Sequence, residues 1–289
     1  MNFDIEISMP SSIDLIGGEV VGKTNASMVM CATPDFELGC TVVDESTEEQ
    51  RLHGFKDDHP IASYLKGLDY CDAVWLHYNP HQNASSHLAD QTLSAMVYYA
   101  CRILHEGQHE FDYEAKLQLL ENLRKDFPNQ EVAQILAQMS GGLCTINTQT
   151  FDLDEHEWPK DYRWSFINCS RTEFNHAENT NKLVSIYKQF TSVWQQKDWQ
   201  ASWDLLNQYQ DALQCEGYVS RELVEQIAVL RTTKGVRAVK YCSHYGMCGI
   251  LIVHQCQQLD EIKSLVKKDQ QWLDECELAP GIQLNFGVA

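Results

Sequence analysis

A chain of 289 residues with 44% apolar and 10% aromatic side chains can bury a full core, in one large domain or two closely packed ones. Its 22 Lys and Arg stand against 41 Asp and Glu, and the formal charge of -19 repels polyanions, which excludes nucleic acid as an expected partner. The longest apolar stretch, about Gly249 to Val253, is far short of the roughly 20 residues that span a bilayer, and Asp4 and Glu6 stand where a signal peptide would be basic. A soluble, untargeted, cytoplasmic protein without a membrane partner is expected.

The 11 cysteines show no paired CxxC spacing, which fits reduced buried thiols better than a disulfide framework. In chain order, Asp4 to Met9 alternates as a half-buried strand does, Pro10-Ser11-Ser12 is expected to break it, and Ile13 to Ile16 resumes before the Gly17-Gly18 turn. Short strands are predicted at Met28 to Ala32, Gly39 to Val43 and Ala73 to Tyr78. From Ala89 to Leu104 apolar residues recur every three or four positions, the period of a buried helix. Helices follow at about Tyr113 to Lys125 and Glu131 to Met139, the second capped by Gly141-Gly142. Strands are predicted at Leu143 to Phe151 and Arg163 to Cys169, then helices at about His176 to Gln196, Trp199 to Cys215 and Arg221 to Thr232. A strand at Gly235 to Cys242, another at Ile250 to His254, a helix at Leu259 to Glu275 and a strand at Ile282 to Phe286 close the chain. Strands and helices in both halves make this an α+β chain of two domains.

Several motifs stand out against this background. Pro10-Ser11-Ser12-Ile13-Asp14-Leu15-Ile16-Gly17-Gly18-Glu19 is a strand and glycine turn, and Gln82-Asn83-Ala84-Ser85-Ser86 directly precedes the first long helix. Gln134 to Gly142 carries a helix into a Gly-Gly, and Ala238 to Gly249 is a lysine-containing strand running into a glycine-containing turn. In this order they resemble the motifs of the GHMP superfamily of small-metabolite kinases (galactokinase, homoserine kinase, mevalonate kinase and phosphomevalonate kinase). The resemblance spans nearly the whole chain. It implies a two-domain GHMP kinase-like fold, with a ribosomal protein S5-like N-terminal domain over residues 1–155 and a ferredoxin-like α/β C-terminal domain over 156–289.

The implied activity is ATP-dependent phosphorylation of a hydroxyl on a small metabolite, mevalonate-like or sugar-like, with ATP and Mg2+ as cofactors. In that family the second motif is a loop whose backbone N–H groups at a helix N-terminus hold phosphate. By resemblance Asn83, Ala84, Ser85 and Ser86, together with Gly246, would hold the nucleotide, and the Ser86 hydroxyl would reach the metal. Ser12 and Glu19 would face the substrate. Gln134 stands where many members carry an aspartate that acts as base, and an amide cannot take that proton. Glu131, three residues earlier on the same helical face, is a substitute carboxylate, and Lys240 would assist the transfer.

The chain departs from the family pattern at Ser12, usually Lys or Arg, at the glycine-free phosphate loop and at Gln134. The alternative is therefore a catalytically inactive pseudokinase acting as a binding or regulatory protein, in which a homodimer or another protein is the partner. Trp194, Trp199 and Trp203, spaced five and four apart, could then form a docking face; packing at a helix junction is the ordinary use of such a group. An anionic substrate would need local basic groups, for which Lys23, Arg171, Arg237 and Lys240 are the candidates.

Overall fold

The computed structural model describes residues 4–42, 52–53, 74–79, 92–93, 95–97, 99–100, 121, 123–124, 129–169, 180–242, 247–255, 259–273 and 277–286. The chain divides into two compact units, each discontinuous: residues 1–11, 34–141 and 280–289 form the first, and residues 12–33 and 142–279 the second. The sequence suggested a boundary after residue 155; the observed units interleave along the chain because two long strands, β1 (Ile5–Ile16) and β2 (Ala26–Val42), with the one-turn helix α1 (Val21–Thr24) between them in sequence, each contribute residues to both.

In the first unit, the opening residues of β1 pair antiparallel with β11 (Gln283–Phe286), in the register Ile5 to Phe286. The far half of β2 pairs antiparallel with β4 (Val74–Asn79), which pairs in parallel with β3 (Leu52–His53). Residues 92–93, 95–97 and 99–100 are helical, as the apolar period predicts, and Leu93, Met96, Val97 and Ala100 are buried. Helix α2 (Asn129–Ser140) ends where Gly141, at φ 77, turns left-handed and donates its N–H to the Ala137 carbonyl at 2.8 Å. A Cβ at Gly141 would meet the Gly281 backbone, so glycine is required there.

The second unit holds a four-stranded antiparallel sheet in the order β10-β7-β9-β8, made of β7 (Arg163–Asn168), β8 (Val236–Cys242), β9 (Gly249–His254) and β10 (Gln271–Leu273). Helices α3 (Asn181–Gln195), α4 (Trp199–Cys215) and α5 (Arg221–Thr232) fall between β7 and β8, and the short α6 (Asp260–Lys263) between β9 and β10. Numbering these strands one to four along the chain gives the spatial order 4-1-3-2, the ferredoxin-like arrangement implied by the motifs. The near half of β2 pairs with β5 (Leu143–Asn147), which pairs with β6 (Leu153–His156). One hydrophobic core runs through this unit, from Leu15 and Met28 through Trp164, Phe190 and Trp203 to Val239 and Ile252.

The free edge of β8 is covered by polar side chains of α4. Asn207 accepts from the Val239 N–H at 3.2 Å and donates to the Arg237 carbonyl at 2.8 Å, while Gln210 accepts from the Tyr241 N–H at 2.7 Å. These bonds supply the ladder partners that an edge strand lacks.

Four local expectations change. Pro10-Ser11-Ser12 does not break β1, because Gln138 donates to the Pro10 carbonyl and the Met247 N–H to the Ser12 carbonyl, both at 2.7 Å. The runs at Met28 and Gly39 are one strand, β2. The strand predicted over Leu143 to Phe151 stops at Asn147, whose Oδ1 accepts from the Gln149 and Thr150 N–H groups and turns the chain into the β5–β6 hairpin. The helix expected over Leu259 to Glu275 stops at Lys263: Gln226 of α5 bonds the Leu265 carbonyl and Gln270, and the chain then pairs as β10 along β7. Tertiary pairing overrides helix propensity there.

Candidate functional site

The first motif and the lysine strand meet within the second unit. Asp14 lies near the end of β1, and the chain then turns at Gly17, whose φ of 104 and close approach to the Tyr187 ring leave no room for a side chain. The turn lets the Gly18 N–H donate to both Asp14 carboxylate oxygens, at 3.1 and 3.2 Å, and opens a single 3-10 turn that carries Glu19. Lys240 reaches the same point from β8. Its Nζ donates to the Asp14 carbonyl at 3.1 Å, to Asp14 Oδ2 at 3.3 Å and to Glu19 Oε1 at 3.3 Å. The Tyr209 hydroxyl of α4 donates to Glu19 Oε2 at 2.9 Å, and the ammonium lies 5.8 Å from the Tyr209 ring centre.

The Lys240 and Asp14 side chains are 0% exposed and that of Glu19 is 1% exposed. Burial pushes the Asp14 carboxyl up from 3.8 to about 7, against the pull of Lys240 and with the further push of Glu19. Burial opposes the Lys240 charge, yet Cys242, Glu19 and Asp14 around it raise its pKa overall. Cys242 is itself pushed up to about 12 by burial and stays a thiol at neutral pH, so the carboxylates are what hold the ammonium. The Tyr209 phenol, buried beside Glu19, stays protonated as the hydrogen-bond donor.

The resemblance implied Glu19 at the substrate and Lys240 assisting the transfer. The structure turns both inward, onto each other and onto Asp14 and Tyr209, because a lysine in the apolar strand Ala238 to Cys242 is held inside only by full pairing. This cluster fixes the glycine turn of the first motif against β8. Asp14 and Tyr209 were not singled out as site residues. The signal for them is the lone lysine among Val239, Tyr241 and Cys242, which calls for acidic partners elsewhere in the chain.

Other predicted residues divide into those that are described and those that are not. Ser12 is fully buried and its Oγ has no hydrogen-bond partner among the described residues. Gln134 on α2 is 2% exposed and its Oε1 likewise has none among them, whereas Gln138 one turn on is bonded to Pro10 and Thr92. Buried polar atoms are nearly always satisfied, so the Ser12 hydroxyl and the Gln134 carbonyl each mark a place with unused bonding capacity. Glu131 lies in α2, its side chain outside the described residues; Asn83, Ala84, Ser85, Ser86, Arg171 and Gly246 also lie outside them. Lys23 is exposed, and Arg237 bonds Gln255 at 2.8 Å on the surface. Among the described residues no group of three His, Cys, Asp or Glu side chains is placed to hold a metal ion, and no helix is long and apolar enough to cross a membrane.

No family model matches the chain, and no curated protein matches it by sequence. Solved structures match over almost its whole length. Lactococcus lactis galactokinase complexed with galactose superposes with a TM-score of 0.69 at 13% identity, covering 97% of this chain and 95% of that one. Mevalonate diphosphate decarboxylase from Staphylococcus aureus gives 0.65 at 12% identity over 97% and 98%, and the Enterococcus faecalis enzyme 0.64 at 13% over 98% of both. The chain has the GHMP kinase-like fold of these proteins, the fold its motifs imply.

Proposed function

We propose that the protein is a divergent GHMP-type kinase that transfers a phosphoryl group from ATP, with Mg2+, to a hydroxyl of a small metabolite, mevalonate-like or sugar-like. The observation that carries this reading is the end-to-end match to proteins that bind such partners: one neighbour is complexed with galactose, and another with AMPPCP and magnesium. Phosphoryl transfer depends on positioning and charge stabilisation more than on covalent chemistry by the protein, so this fold supplies much of what the reaction needs. Asn83 to Ser86 and Gly246 would line the nucleotide phosphates, with Ser86 toward the metal. Asp14 and Glu19 are not offered as metal ligands, since Lys240 engages both. On the substrate side Ser12 is retained, since its Oγ has bonding capacity unused among the described residues.

The test is thermal unfolding with and without magnesium-ATP. Nucleotide at a hundredfold its dissociation constant stabilises the fold by about 2.7 kcal/mol, and changing Ser85 and Ser86 together to alanine should abolish the shift. No shift with any nucleotide would sink the reading.

A second reading, a pseudokinase that keeps the ligand site without turnover, is favoured by Gln134. Its amide cannot act as base, and loss of a base costs about 10²- to 10⁴-fold in rate. Magnesium-ATP binding without transfer to mevalonate or galactose acceptors would select it, and so would appearance of transfer in Gln134→Asp alone.

A further inference from the structure

A cavity of about 510 Å³ opens in the second unit, between the segment joining β6 to β7 and the junction of α3 with α4. Its walls include Trp158, Trp194 and Trp199. Of the tryptophans that the spacing assigned to packing, Trp203 is 0% exposed and Trp194 3% exposed, both part of the core. Trp199 and Trp158 remain partly exposed and complete the wall.

The rings are set at steep angles. Trp194 meets Trp199 edge-on, with centres 5.0 Å apart and planes at 71°, and Trp158 lies 6.4 Å from Trp194 at 54°. Trp194, 3% exposed and stacked on Phe190 at 5.4 Å, backs the wall, and the partly exposed Trp158 and Trp199 bring indole surface to the cavity. The walls are also held in place. The Trp158 indole N–H donates to the Tyr162 carbonyl at 2.8 Å, its ring packs 5.6 Å from Trp203, and His156 beside it bonds Thr145 at 2.8 Å.

The rim carries three carboxylates and two ammonium groups, an excess of one negative charge. Glu155, Glu157 and Asp161 line the cavity as exposed carboxylates, against Lys160 and Lys197, in a chain whose formal charge is -19. The indole faces are electron-rich and attract cations, most strongly where water is excluded. We propose that this cavity binds an organic cation of the quaternary or methylated ammonium class, whose methyl groups lie against the indole wall while the rim carboxylates balance its charge. A quaternary ammonium has no N–H to donate, so it forfeits no hydrogen bond on entering apolar walls, and no ammonium chemistry belongs to the kinase site proposed above.

The experiment is titration of the whole 289-residue chain with choline, followed by calorimetry and tryptophan emission, alongside its uncharged isostere 3,3-dimethyl-1-butanol. Choline is expected to bind saturably and perturb the emission, and the isostere is not. Trp199→Ala should abolish binding. The surface variant Glu155→Gln/Glu157→Gln/Asp161→Asn, which leaves the packed rings untouched, should weaken it about five- to tenfold, the combined loss of three exposed charge interactions. Equal binding of choline and isostere would overturn the proposal, because the cavity would then be merely apolar. Saturable binding of galactose with none of choline would overturn it too, as would the absence of any choline response in a protein that unfolds normally.

Discussion

Lys240 is held by two carboxylates and a backbone carbonyl with no solvent access, so its removal leaves two buried acids facing each other without a counter-charge. Breaking a buried ion pair from one side costs about 3–5 kcal/mol, and Lys240→Met is expected to lower stability by that much in urea unfolding. The triple variant Asp14→Asn/Glu19→Gln/Lys240→Met should recover most of the loss, since the desolvated charges leave together. If Lys240→Met were instead as stable as the parent, the cluster would contribute nothing to the fold. How much of this site the sequence revealed follows from the same residues. The motif order brought Glu19 and Lys240 into one list, and the structure brings them within hydrogen-bond distance. Their direction was not legible, because a motif fixes which strand and turn a side chain leaves from but not whether a partner waits on the buried side. Asp14 and Tyr209 decide that, across separations of 226 residues for Asp14–Lys240 and 190 for Glu19–Tyr209.

At the scale of elements, β8 depends on α4 for its outer edge. Asn207→Ala removes the acceptor for the Val239 N–H and the donor to the Arg237 carbonyl. The expected cost is about 1–2 kcal/mol, less a few tenths regained from the better helix propensity of alanine. Hydrogen exchange at Val239 should quicken while the amides of β9, paired on the inner side, keep their protection; a uniform loss across both strands would mean that Asn207 acts on the core and not on the edge. The strands and helices themselves were largely readable from period: α4 and α5 run over the residues the apolar spacing predicts. The misses share one cause. The continuity of β1 through Pro10-Ser11-Ser12 depends on Gln138 and Met247, and the end of α6 at Lys263 on Gln226 and the β7 edge; side-chain and backbone groups distant in sequence there satisfy backbone groups that local propensity would leave open.

For the whole molecule, pH and salt should separate two kinds of charge effect. Asp14 is raised from 3.8 to about 7 in the folded protein, so between those values the native state holds more protons than the unfolded one. Stability from this group is complete at low pH and is lost as pH rises through about 7, so the urea midpoint should climb as pH is lowered from 8 to 6.5. Below that the trend should bend: burial lowers the His156 pKa, and the unfolded state gains from protonating it. The formal charge of -19 adds a second term of the same sign, because histidines that begin to charge near pH 6.5 relieve self-repulsion. Salt acts on the second term alone. Raising ionic strength from about 0.1 M to 1 M shortens the screening length from roughly 10 Å to 3 Å, which quenches surface repulsion but leaves a fully buried carboxyl untouched. Unfolding at 1 M NaCl should therefore keep a residual climb between pH 8 and 6.5, and Asp14→Asn should flatten it. A parent protein already flat at high salt would mean that Asp14 titrates in the folded state as it does in the unfolded chain, and that the cluster with Lys240 is open to water.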